Sequence, residues 1–352
     1  MKPAQFLLML LSLALFPRTT AAQDIRVRGN AVFYGDNTEF SGPYRDGETI
    51  FGAHLSSWLS LDFGDGVEMS AGVFADRRHT ADGGFDPVLP VLSLRIDTGS
   101  GRIVIGSNFP AARHQLIDPL EVSTLELTRP IEYGLAWVRK GAREEHDIFL
   151  SWQKLNTPGH REVFDYGGTA RFNLFGGLAA EGQLHGVHHG GQLHDAGPVL
   201  NYTAGGAGFS WKGTSSAMGD FTFLLLALGS RRSRETFAAD QPSAGKGVYG
   251  RLGIHPWERT EIWLIGWKGK DFYADEGDPN YGSFQSATPD IGWKSDRTCL
   301  ELGIRRTFQL ARRVEVDLDA RLHRIEDKTE YSYRFTARVP FEWPAPGKVD
   351  SH

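Results

Sequence analysis

The chain has little that would staple it, anchor it by a helix or draw it to a polyanion. Cys299 is its only cysteine in 352 residues. No internal disulfide is available, and no cysteine-based zinc or redox site can be assembled. After the first 22 residues no apolar run reaches the roughly 20 residues that a bilayer-spanning helix needs; the longest candidate is FLLLAL, residues 223–228. Basic residues are in deficit, giving a formal charge of -5. Residues 1–22 have the pattern of a cleavable signal peptide: Lys2, the apolar run FLLMLLSLALF and then Thr20-Ala21-Ala22. Its removal would take Lys2 and Arg18 and no acid, leaving -7. Nucleic-acid binding, which usually relies on a basic surface, is not expected.

What is abundant is glycine, at 42 residues, and aromatic side chains, at 12%. Glycine suits tight turns, and aromatics suit strands and the girdles of membrane barrels. A mean hydropathy of -0.32 fits a barrel whose strands need only alternate residues against lipid. Period-two alternation is the dominant signal. Val314, Val316, Leu318, Ala320 and Leu322 alternate with Arg313, Glu315, Asp317, Asp319 and Arg321. Tyr331, Tyr333, Phe335, Ala337, Val339 and Phe341 alternate with Ser332, Arg334, Thr336 and Arg338. Each pattern predicts a strand with one apolar and one wet face.

The same reading gives 16 strands, near 24–35, 49–63, 66–76, 88–98, 101–109, 131–140, 145–154, 164–175, 178–189, 197–212, 219–231, 247–256, 259–271, 297–308, 312–324 and 330–342. In 259–271 the inward face is ambiguous between Trp263, Ile265 and Trp267 and the pair Ile262 and Leu264. Short connections such as Gly64-Asp65-Gly66 and Gly176-Gly177 alternate with long ones such as 36–48, 77–87 and 272–296. Transmembrane barrels show this order, with short periplasmic turns and long external loops. The expected fold is all-β: a transmembrane antiparallel up-and-down β-barrel of about 16 strands over residues 23–343, with a tail at 344–352. A soluble β-sandwich also alternates, but it needs no such order of turns.

In signal peptide, strand count, length and loop order the chain resembles a Gram-negative porin. The final strand, YSYRFTARVPF, resembles the aromatic-rich signal read by the barrel assembly machinery, although Glu342-Trp343 and a proline-rich tail follow it. The resemblance implies an outer-membrane location, contact with outer-membrane lipid and lipopolysaccharide, a possible homo-oligomer and a passive pore for small polar solutes or ions. A weaker resemblance, to exopolysaccharide-export barrels, rests on the charged stretch from Arg113-His114 to Gly134.

If apolar faces meet lipid, the lumen receives many charges, which implies a wet interior, because a charge facing hydrocarbon near the midplane costs about 2–4 kcal/mol. In porins the third external loop folds inward. Here that loop is 110–130, and Asp118, Glu121 and Glu126 are expected to face a basic wall of Arg26, Arg28, Arg334 and Arg338, with Asp317 and Asp319 on the lumen wall beside them. A lipid-modifying enzyme is a further alternative, with His185, His188 or His189 as base beside a serine. No Gly-x-Ser-x-Gly segment is present, and the favoured reading is a non-enzyme. His185, His188, His189 and His194 are weak metal candidates. Asp271, Asp275, Glu276 and Asp278 lack the spacing of a 12-residue calcium loop. No metal or cofactor is expected.

Overall fold

A computed structural model describes residues 24–43, 45–79, 88–191, 193–194, 197–216, 219–233, 241–285 and 293–344. The signal peptide and nearly all of the tail lie outside the described residues. Thirteen strands run in order up to the longest loop: β1 Asp24–Glu39, β2 Glu48–Asp62, β3 Val67–Arg78, β4 Leu89–Thr98, β5 Gly101–Asn108, β6 Glu132–Lys140, β7 Glu144–Lys154, β8 Val163–Phe175, β9 Leu178–His189, β10 Leu200–Ser215, β11 Gly219–Arg232, β12 Ala244–Trp257 and β13 Thr260–Lys270. Two short strands, β14 Phe284–Gln285 and β15 Trp293–Lys294, pair within that loop. The last three are β16 Asp296–Ala311, β17 Val314–Ile325 and β18 Lys328–Pro344.

Apart from β14 and β15, each strand pairs antiparallel with its neighbours, and β1 pairs with β18 to close the sheet. The result is a 16-strand all-antiparallel barrel with no free edge, so every strand's backbone donors and acceptors find partners. The alternation sets the register. Leu318 is 47% exposed on the outside, while its neighbour Asp319 is buried within. Tyr331 and Tyr333 face outward, while Ser332, Arg334 and Thr336 at the alternate positions are buried. At the turn between β2 and β3, residues 64–66 all have positive φ, which glycine adopts at little cost at positions 64 and 66.

The lumen is wet on only part of its wall. Arg28–Glu68 at 2.7 Å, Arg305–Asp319 at 2.6 Å and Arg251–Glu261 at 2.5 Å line it with ion pairs. On β11 to β13, beside the Arg251–Glu261 pair, Leu226, Leu228, Tyr249, Trp263, Ile265 and Trp267 form an inward apolar patch. Ile117 and Leu120 from the loop 109–131, Phe40 from the loop after β1, and Phe272 and Tyr281 from the loop after β13 cover that patch. The expectation of a uniformly wet interior is corrected accordingly. Residues 223–228 read as an unbroken apolar run because one face meets lipid and the other meets this plug. The ambiguous face of β13 is settled in the same way, with Trp263, Ile265 and Trp267 inward and Leu264 outward.

Candidate functional site

The loop 109–131 enters the lumen through a turn at Ala111–Gln115. Four consecutive non-glycine residues, Ala112 to Gln115, have φ between 45° and 61°. Left-handed backbone costs about 1–2 kcal/mol per such residue, so the surroundings must hold it in place. They do so through His114, which is stacked on Phe149 with ring centroids 3.8 Å apart. Its Nδ1 lies 2.6 Å from Asp147 and its Nε2 3.0 Å from Glu132. Burial depresses the imidazole pKa, but the two carboxylates outweigh burial and hold it up at about 9. Both ring nitrogens therefore donate.

Beyond this turn the loop meets the wall in a buried acidic cage. Glu121 comes from the loop, Asp165 from β8, His185 from β9 and Glu276 from the loop after β13; one ligand atom of each lies within 4.8 Å of all the others. Arg129 clamps Glu276 at 2.5 and 2.7 Å and reaches Asp165 at 3.4 Å. Arg113 contacts Glu121. Burial alone would raise the Glu276 carboxyl, but Arg129 holds it below the ordinary range.

The residues expected to form a wall opposite this loop fall into two groups. Arg338 meets Glu126 at 3.3 Å and also pairs with Asp317. Arg334, held by Asp36 at 2.5 Å, donates to the Ser123 carbonyl at 3.4 Å. Asp118 faces Arg321 at 3.5 Å, and Asp319 pairs with Arg305. Glu121 pairs within its own loop instead of with that wall. Arg26 and Arg28 do not meet the loop: Arg26 pairs with Asp24 and Glu342, and Arg28 with Glu68 and Glu342. Arg28 lies eight residues below Asp36 on β1, about 26 Å along the strand. Strand closure brought these arginines to one seam but not to one depth. The histidines also disperse. His188 bonds Asn201 at 2.7 Å, His189 bonds Asp275 at 3.0 Å, His194 is exposed, and only His185 enters the cage.

One constellation escaped the sequence. His323 on β17 lies with Nε2 2.9 Å from Ser332 Oγ on β18. Its Nδ1 is 3.3 Å from Glu301 Oε2 on β16, close but off the axis of a hydrogen bond. Glu301 is held by Trp263 Nε1 at 2.7 Å. All three are buried, on adjacent strands, in the half of the barrel that carries the long loops. A cavity of about 20 Å³, room for roughly one water, adjoins His323 and Ser332 and is lined by Arg45, Arg321, Arg334 and Ser123 among others. No local motif marks this group, because its members sit on three strands and meet only through register.

The model of one family, described as lipid A 3'-O-deacylase-type, matches residues 17–344. The chain belongs to that family. This overturns the expectation of a non-enzyme, since the family is named for an enzyme; barrel architecture alone could not distinguish the two. A search of curated proteins finds no match. Among solved structures, a loop-deleted OmpT of Vibrio cholerae is similar at 10% identity and TM-score 0.53, over 90% of this chain and 99% of that one. The anion-selective porin of Comamonas acidovorans is similar at 10% identity and TM-score 0.53, over 90% and 100%. At these identities the likeness is one of fold: the deacylase-type chain is a porin-like barrel of the outer membrane.

Proposed function

We propose that this chain hydrolyses ester-linked acyl chains of lipid A or a related outer-membrane lipid. Family membership supplies the substrate class, and the observation that carries the chemistry is the Ser332–His323–Glu301 relay. Ser332 Oγ attacks the ester carbonyl while His323 Nε2 takes its proton. The same nitrogen returns the proton to the departing alkoxide, and a water activated by His323 then releases the acyl group from Ser332. Glu301, 3.3 Å from Nδ1, keeps the imidazole turned with Nε2 toward Ser332 and stabilises the imidazolium that forms. Arg321 and Arg334, which line the adjoining cavity, supply positive charge for the oxyanion.

The cavity is too small for an acyl ester as it stands. Its covers are Ser123 and Thr124 from the loop 109–131, Arg45 from the loop after β1, and Asp278 from the loop after β13. Entry of substrate requires these loops to part, as active-site lids do. A fluorophosphonate probe in detergent is expected to label Ser332 slowly, and Ser332→Ala to abolish the label. Labelling that persists in Ser332→Ala would overturn the assignment.

A second reading, passage of small polar solutes, is favoured by a cavity of about 710 Å³ on the turn side of the lumen, lined by Arg102, Arg139, Arg171, Glu181, Lys212 and Arg251. Stepwise conductance in a planar bilayer would support it, and its absence across a range of salts would remove it.

A further inference from the structure

The acidic cage contains more buried negative charge than its neighbours neutralise. Glu121, Asp165 and Glu276 are paired only with Arg113 and Arg129. Three carboxylates face two guanidinium groups, which leaves one negative charge. Buried charges are normally paired or bound to a metal. The missing charge has an address. Glu121, whose side chain is fully buried, meets Arg113 through Oε1 and makes no hydrogen bond from Oε2, and Asp165 makes none from Oδ1. His185 places Nδ1 3.1 Å from the Leu120 carbonyl, which can only accept, so Nδ1 carries the proton. Its Nε2 makes no hydrogen bond and lies 4.0 Å from Glu121, 3.7 Å from Asp165 and 3.6 Å from Glu276. A backbone carbonyl that fixes the tautomer and leaves the other nitrogen facing carboxylates is the usual outer support of a metal-binding histidine.

We propose that Glu121, Asp165, His185 and Glu276 bind one divalent transition metal ion, of the Zn²⁺ or Mn²⁺ type. One imidazole with three carboxylates suits these ions, whereas Ca²⁺ and Mg²⁺ prefer oxygen alone. Two of the ligands belong to loops and two to wall strands. The ion therefore ties the loops 109–131 and 271–283 to β8 and β9, and these are two of the loops that cover the small cavity beside Ser332. The site itself does not depend on the hydrolase reading.

The test is metal content and Zn²⁺ titration of the full-length folded protein after chelator treatment and dialysis. One equivalent of Zn²⁺ or Mn²⁺ per chain is expected, with affinity falling at least 10-fold in Asp165→Asn and in Glu276→Gln. His188→Ala, outside the cage, should bind as wild type. Chelation should also speed protease cleavage in the loop 109–131, and Zn²⁺ should restore protection. Should either cage variant fail to fold, judged by heat-modifiable migration, the chelation and protection assay on wild type still decides. Two results would overturn the proposal. One is absence of stoichiometric binding near neutral pH. The other is binding unaffected by Asp165→Asn.

Discussion

Ser332 sits between Tyr331 and Tyr333, which face outward. In sequence it reads as one more small polar residue on a lumen face, and the partners that make it a candidate nucleophile lie 9 and 31 positions away on other strands. Neutralising Glu301 with Glu301→Gln should lower turnover by about 10²–10⁴-fold at unchanged fold, because the imidazole loses its orientation. The measurement is kcat against a short-chain ester, and an unchanged kcat would assign Glu301 to structure alone. The same limit explains what was hidden in the cage: the sequence shows His185 and Glu276 as separate polar positions, and only the register and the inward loop make them neighbours. His114 carries a pH dependence. Its pKa rises from an ordinary value near 6.5 to about 9 in the folded protein. Its contribution to loop docking is therefore complete below about pH 6.5 and is lost as pH rises through 9. Protease cleavage in the loop 109–131 should accelerate between those values, and His114→Gln should flatten the profile.

At the scale of elements the barrel was legible because the bilayer enforces it. Lipid demands an apolar residue at every second position, so β17 and β18 declare their outward faces in Leu318, Tyr331 and Tyr333. The inner face is less constrained, since it meets water, ion pairs or a plug according to what the loops do. For that reason the apolar inner patch around Trp263 and Trp267 read as ambiguity. In the loop 109–131, Ile117, Leu120 and Leu127 are buried. Its left-handed entry left no signal, because no glycine stands there. That entry gives a direct test of strain. Ala112 is exposed with φ 45°, so Ala112→Gly should stabilise the loop by about 1 kcal/mol, read as slower proteolysis. Faster cleavage would mean that the turn is not strained. Trp267 packs edge-on against Phe272 and Tyr281, at 5.0 and 5.8 Å. Trp267→Ala should cost the plug about 3–5 kcal/mol and show as increased cleavage in the loop after β13.

The whole molecule joins a porin-like wall to an interior partly filled by its own loops. In a pore, filling of this kind limits conductance, and deleting residues 114–127 should raise whatever single-channel current the intact barrel passes. In a hydrolase the same loops keep water and unwanted esters from a buried serine until the lid parts. Membership of the deacylase-type family and the Ser332–His323–Glu301 geometry favour the second role. The measurement that bears on it most directly is release of ester-linked acyl chains from purified lipid A by the reconstituted barrel, compared with Ser332→Ala of the same heat-modifiable fold. The account predicts release by wild type and a loss of about 10³-fold or more in Ser332→Ala. Equal release by the two proteins would contradict it.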